Sequence, residues 1–254
     1  MELTTELVDA LQVRVFATRQ AMGEAAGKDV VAKIQTLLRE KERIRMIFAA
    51  APSQNELLDY LASAESMDWS RIEVFHMDEY VGLPANAPER FSSFLKKRLF
   101  DRVKPYRTHL IDDQPSVEVT LQKYAHLLTE APIDIVCLGI GENGHLAFND
   151  PPVADFNDPQ IIKVVELDSI CRQQQVNDGC FPSLDAVPKE ALTLTIPALL
   201  SGSHLFCVVP GVTKQQAVKA VLNDAIHTNC PATILRKHPD CTLYVDQDSY
   251  GAIA

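Results

Sequence analysis

The sequence has no apolar run near the ~18 residues that a membrane span needs, so no membrane association is expected. It has no Gly/Ser-rich linker, no charge-biased tract, no internal repeat and no low-complexity stretch. Its 254 residues are therefore read as a single domain over 1–254. Basic residues are the minority: 24 Lys and Arg against 34 Asp and Glu leave a net charge of −10. That balance speaks against a nucleic-acid partner bound through a broad basic face. It leaves room for a few cations that converge on a small anion. None of the six cysteines stands in Cys-x-x-Cys spacing, so reduced thiols in a cytoplasmic protein are expected. The start, Met1-Glu-Leu-Thr-Thr-Glu-Leu7, lacks the basic-then-apolar pattern of a signal peptide. His-x-x-x-His and clustered Cys/His spacings are missing too, which gives a metal site at His76, Asp78, His145 and Asp150 little support. A homo-oligomer is compatible with this composition.

What is present is an alternation of strands and helices. Residues 11–17 alternate like a first strand, and 19–41 carry a helical stripe of Val30, Val31, Ile34, Leu37 and Leu38. A strand is expected at 44–51. A helix follows Pro52, with Ser53 as N-cap and Glu56 as its capping-box partner. Further strands are expected at 72–77, 108–111, 133–138, 161–167, 191–196, 204–209 and 242–245. Helices are expected at 89–103, 117–130, after Asp168, and at 214–223 behind Thr213. This order predicts an α/β fold, a mostly parallel sheet covered on both faces. Ser53, Asp78, His145, Asp150 and Lys214 all fall just after strands. Right-handed crossovers gather those ends along one edge of the sheet, where ligands bind in open α/β folds.

The stretch from Leu138 to Pro152, Leu-Gly-Ile-Gly-Glu-Asn-Gly-His-Leu-Ala-Phe-Asn-Asp-Pro-Pro, is the most informative. Gly139, Gly141 and Gly144 let backbone come close to a ligand, the His145 imidazole is able to pass protons to a ring oxygen, and Asp150 would fix its tautomer. Asp78 and Glu79 end an apolar strand. There a carboxylate is either a solvated turn residue or a partly desolvated base able to take a proton from carbon beside a carbonyl or imine. Lys214 at a helix start, Arg172 and Ser53 are each able to hold an anion. Each is equally readable as an exposed side chain or a cap.

With these residues in place, the chain resembles the glucosamine-6-phosphate deaminase (isomerase) family. The resemblance rests on Phe75-His-Met-Asp-Glu-Tyr-Val-Gly-Leu83, on residues 139–151, on Val187-Pro-Lys-Glu-Ala-Leu-Thr193 and on Pro210-Gly-Val-Thr-Lys214, and covers about residues 12–246. The related 6-phosphogluconolactonases share the Gly-His core but usually lack this Met-Asp-Glu-Tyr and Ala-Phe-Asn pairing. The resemblance implies a three-layer, Rossmann-like fold of the deaminase/ribose-phosphate-isomerase type. It implies conversion of a 2-amino-sugar 6-phosphate to a ketose phosphate and ammonia, with no metal or organic cofactor. Asp78 would move a proton between C2 and C1, and His145 would assist ring opening, tuned by Asp150 and Asn143. Arg172 and Lys214 would hold the phosphate, with Ser53, Gly144 and Glu79 also beside the substrate. The chain departs from the family in three places. Residues 49–56 carry no glycine where a Gly-rich phosphate loop is usual. Asn143 stands for an acid, and Asp150 for a glutamate. The segment after Pro152 lacks the basic residues of an allosteric site, so no activation by an N-acetylamino-sugar phosphate is expected. Another phosphosugar, a sugar-acid lactone, or a non-catalytic sensor of sugar phosphates are the alternatives.

Overall fold

The computed structural model describes residues 1–251. Its strands are β1 (Glu2–Val8), β2 (Leu11–Phe16), β3 (Ile44–Phe48), β4 (Ile72–His76), β5 (Asp78–Tyr80), β6 (Arg107–Thr108), β7 (Ile135–Leu138), β8 (Ile162–Glu166), β9 (Glu190–Leu194), β10 (His204–Val209) and β11 (Cys241–Asp246). Its helices are α1 (Arg19–Glu40), α2 (Asn55–Ser63), α3 (Phe91–Leu95), α4 (Asp101–Val103), α5 (Val117–Thr129), α6 (Ser169–Asn177), α7 (Ile196–Leu200), α8 (Gln215–Asn223) and α9 (Gln247–Tyr250).

The main sheet has the order β1-β2-β11-β10-β7-β3-β4-β6. Every pairing in it is parallel except β1 with β2. Its central strands, Ile44–Phe48 and Ile135–Leu138, are buried at every position, as strands covered on both faces must be. One apolar cluster, with Met22, Val30, Ile34, Leu57 and Leu61, lies on one side. A second, with Val13, Leu138, Val218 and Leu243, lies on the other. The result is a three-layer α/β/α arrangement. From β3 the chain proceeds outward through β4 to β6, then returns to place β7 on the other side of β3 and continues toward β10 and β11. The direction therefore reverses between β3 and β7, and the loops leaving those strands open a crevice there.

Two parts of this architecture differ from the sequence expectation. The first 10 residues supply an antiparallel edge strand, β1, whose Glu and Thr content masks its alternation. The segments at β5, β8 and β9 form a separate three-stranded antiparallel sheet, order β5-β9-β8, instead of joining the parallel one. The expected cap at Ser53 is also replaced. Pro52 opens a 3₁₀ turn (Pro52–Gln54), α2 starts at Asn55 without a side-chain cap, and Glu56 pairs with Arg19. Thr213 likewise lies within a 3₁₀ turn, Val212–Lys214, and makes no side-chain cap. The preceding Gly211, at φ +92°, sets that turn.

Candidate active site

The loops after β3, β4, β7 and β10 meet around one cavity of about 330 Å³. β3 delivers residues 49–54, β4 delivers Met77 and Asp78, β7 delivers 139–141 and His145, and β10 delivers 210–214. Helix α6 and the turn behind it close one side with Gln174, Gln175, Asp178 and Cys180.

Asp78 is 7% exposed. Burial, then the neighbouring Glu79 charge, raise its carboxyl well above the usual 3.8. Met77 and Asp78 leave the parallel sheet as the chain enters β5, so the carboxyl faces the cavity at the strand end.

His145 is held by a tight loop. The Gly141 amide donates to the His145 carbonyl (2.9 Å), and the Gly144 amide donates to the Gly141 carbonyl (3.0 Å). The imidazole lies directly on Gly141. A Cβ there would come within 2.1 Å of the ring, so only glycine permits this approach. His145 Nδ1 stands 2.9 Å from Asp150 Oδ1 and 2.8 Å from Asn143 Oδ1. Asn143 Nδ2 donates to Asp150 Oδ1 at 2.8 Å, and Asn143 Oδ1 accepts from the His145 amide at 3.0 Å. Two acceptors on Nδ1 assign it the proton in the neutral ring, which leaves Nε2 for the cavity. Burial pushes the Asp150 carboxyl up, but bonds and charge from His145 and the Asn143 amide outweigh it and hold it low. Asp150 Oδ2 is buried with no hydrogen-bond partner among the described residues.

Lys214 is 6% exposed and forms no ion pair among the described residues. Burial lowers its ammonium from the usual value, against the pull of Asp178 and Glu142. An unpaired buried cation is costly unless an anion arrives to share the site. Ser53, whose hydroxyl accepts from Gln54 Nε2 at 3.1 Å, lies in the same wall.

Three residues expected at the substrate are not brought to the cavity. The Arg172 guanidinium turns to the backbone carbonyls of Leu184 (2.6 Å) and Val187 (3.0 Å), because α6 presents Gln174 and Gln175 inward instead. Glu79 points to the opposite side of β5 from Asp78 and is fully buried. It accepts from the Phe91 (3.1 Å) and Ser92 (3.0 Å) amides at the uncapped start of α3 and pairs with Arg90 at 3.4 Å. Gly144, at φ +84°, serves the turn. A Cβ there would strike Cys230 Sγ at 2.4 Å, and its carbonyl accepts from the Ala232 amide at 2.8 Å.

Sequence reasoning missed Arg19, Gln54, Gln174, Gln175 and Asp178, all in the cavity wall. Arg19 follows strand β2 and was findable by the same strand-end rule. The glutamines were not, since a polar run such as Arg172-Gln-Gln-Gln175 reads as a solvated face although Gln174 and Gln175 are each 6% exposed. For a metal ion, one group of three side chains among the described residues has donor atoms within 4.8 Å of one another: His145, Asp150 and Cys171. Two of these already form the hydrogen-bonded dyad.

Residues 17–244 match the family described as glucosamine-6-phosphate isomerases/6-phosphogluconolactonase. A glucosamine-6-phosphate deaminase of Bacillus thuringiensis (strain Al Hakam) is 31% identical over 240 residues, 94% of this chain and 88% of the relative. That of Shouchella clausii (strain KSM-K16) is 31% identical over 192 residues, 74% of this chain and 76% of the relative. Among solved structures, a monomeric glucosamine-6-phosphate deaminase superposes with a TM-score of 0.85 at 28% identity, covering 93% of this chain and 98% of that one. A 6-phosphogluconolactonase of Thermotoga maritima, at 20% identity, shares the fold with a TM-score of 0.75 over 92% of this chain and 98% of its own. With the match reaching across both the cavity loops and the sheet that carries them, the chain belongs to the glucosamine-6-phosphate isomerase/6-phosphogluconolactonase family.

Proposed function

We propose that this protein is a cytoplasmic deaminating aldose–ketose isomerase that converts glucosamine 6-phosphate and water to fructose 6-phosphate and ammonia. The observation that carries the reading is the convergence of three things in one cavity: a desolvated carboxylate, a carboxylate-held imidazole and an unpaired buried ammonium.

In this reading the phosphate sits against Lys214, Ser53 and the turn at residues 50–53. His145 Nε2 accepts the anomeric hydroxyl proton and delivers one to the ring oxygen, which opens the pyranose. Nδ1–H stays bound between Asn143 and Asp150, and the Asp150 charge stabilises the imidazolium formed in passing. Asp78 then takes the proton from C2. The C–H electrons form the C1–C2 double bond, the C1 oxygen takes up a proton, and an enolamine results. Asp78 returns its proton to C1 while the nitrogen lone pair forms the C2 iminium. Water adds at C2 and ammonia leaves. Burial suits Asp78 to this role, because a raised proton affinity brings a carboxylate closer to the acidity of the carbon it must deprotonate.

Ammonia release from glucosamine 6-phosphate by wild type and by Asp78→Asn tests the reading. Wild type is expected to release it, and the variant to be slower by about a hundredfold or more, as for removal of a general base. A folded wild type that releases none refutes the assignment. The glycine-free loop with Ala49, Ala50 and Ala51 in the cavity wall favours one second reading, a different amino-sugar phosphate for the same chemistry. Turnover confined to glucosamine 6-phosphate in a substrate panel eliminates it.

A further inference from the structure

The anion that Lys214 awaits needs more positive charge than one partly desolvated ammonium supplies, and Arg172 is turned away. Among the cavity-wall residues, one other cation stands beside the phosphate turn: Arg19, at the start of α1. We infer that Arg19 is the second phosphate-binding cation of this site, occupying the role that the sequence assigned to Arg172, and that Glu56 holds it in place and limits its affinity. This inference rests on the proposed sugar-phosphate substrate and specifies the residues that recognise its phosphate.

The geometry is that of a prepositioned guanidinium. Arg19 Nε donates to Glu56 Oε1 at 2.7 Å, and Nη2 donates to Glu56 Oε2 at 2.9 Å and to the Pro52 carbonyl at 3.0 Å. Those bonds lock the planar fork onto the turn that follows β3. They leave both Nη1 hydrogens without a partner among the described residues. The adjacent Ala50 and Ala51 amides also donate to no acceptor among the described residues. Lys214, buried and without an ion pair among the described residues, enters the same cavity from the β10 side. The three donor groups therefore line one cavity from the ends of different strands, a placement that suits recognition of an anion. The position of Glu56 is the telling part. A surface pair whose only task is helix packing gains nothing from facing a cavity that holds an unpaired lysine. An acid that grips one edge of a guanidinium fixes the other edge for a ligand, and it opposes the ligand's charge as it does so.

The test uses the full-length protein and two readouts. Calorimetry gives the affinity for inorganic phosphate and for fructose 6-phosphate. Steady-state ammonia release gives KM and kcat for glucosamine 6-phosphate and for unphosphorylated glucosamine. Arg19→Gln is expected to weaken phosphate binding and raise KM about tenfold or more, the range for a lost charge-assisted contact, with little change in kcat. Activity on glucosamine should stay as in wild type. Arg19→Lys should recover part of the loss. Glu56→Gln should move the other way, tightening phosphate binding, whereas a purely structural pair would make both variants suffer alike. Arg172→Gln should alter thermal stability and leave phosphate affinity unchanged. The inference is overturned if Arg19→Gln binds phosphate like wild type, if Arg19→Gln and Glu56→Gln both weaken it equally, or if Arg172→Gln is the variant that loses it. Because calorimetry needs no turnover, a wild type without ammonia release refutes the reaction while the Arg19 comparison still decides this inference. A wild type that binds neither phosphate compound refutes both.

Discussion

At the scale of single residues, the same burial that suits Asp78 to the proposed proton transfer works against the fold. Its carboxyl titrates well above 3.8 in the folded chain, through burial and the Glu79 charge. The folded state therefore holds a proton that the unfolded state has already released. That contribution to stability is complete below pH 3.8 and is lost as pH rises from there through the folded value. Ionising the buried carboxyl costs stability, and each tenfold gain in proton affinity corresponds to about 1.4 kcal/mol. Asp78→Asn should therefore raise the melting temperature at pH 7 while slowing turnover by about a hundredfold or more, and the gain should shrink toward pH 4. Thermal melts across pH check this, and a variant less stable than wild type at neutral pH contradicts it. The pH profile of kcat carries the same cause with the opposite sense: activity needs the ionised form, so it should rise with pH through the elevated Asp78 value. The sequence pointed to Asp78 because it ends an apolar strand, and to His145 and Asp150 because they lie in the glycine-rich stretch after another, with all three then brought into one neighbourhood by the fold. It did not reveal Gln174 or Gln175, whose burial depends on how α6 docks and leaves no periodic trace.

At the scale of elements, β5 explains why two adjacent acids have unlike tasks. Successive side chains on a strand point to opposite faces, so Asp78 and Tyr80 share a side while Glu79 looks the other way. On the Asp78 side, Tyr80 packs against Phe91 and Phe148 and donates its hydroxyl to Gln175 at 2.8 Å, tying α6 to the strand that carries Asp78. On the other side, Glu79 serves the start of α3, which has no side-chain cap of its own, and shares Arg90, 2% exposed, with Asp113 at 3.3 Å. Removing Glu79 leaves the Phe91 and Ser92 amides without their acceptor while Asp113 still pairs with Arg90, so Glu79→Ala should cost about 1–3 kcal/mol in denaturant melts. KM for the sugar phosphate should change little in the folded fraction. A large KM change without destabilisation would return Glu79 to the substrate. The sequence could not separate the two acids, because strand alternation holds only once the register with Glu190–Leu194 is known. That small antiparallel sheet was itself hidden: its strands lie far apart in the chain, and alternating β and α segments promise parallel pairing alone. The capping box read at Ser53 and Glu56 failed for a related reason, since Arg19 lies 37 positions from Glu56.

At the scale of the whole molecule, a net charge of −10 surrounds a cavity built for an anion, so recognition must be local. The fold supplies that locality by reversing direction between β3 and β7. Every strand that delivers a polar group does so at the same sheet edge, and the −10 is spread over the remaining surface. Lys214 feels Asp178 and Glu142 without an ion pair to either among the described residues, so part of the molecule's stability should be coupled to occupancy. A ligand that binds only the folded chain adds about 2.7 kcal/mol at a hundred times its Kd. For a chain of this size that corresponds to a rise of about 5–10 °C in the melting temperature. Fructose 6-phosphate should produce such a rise in wild type and in Asp78→Asn, since the base is not needed for binding. In Lys214→Met, which fills the same volume without the charge, the unliganded protein should be as stable as wild type or more so, because a desolvated ammonium has been removed. Its melting temperature should no longer respond to the ligand. A Lys214→Met protein that is destabilised when empty, or that still shifts fully with fructose 6-phosphate, would mean that Lys214 is paired within the fold and does not wait for phosphate.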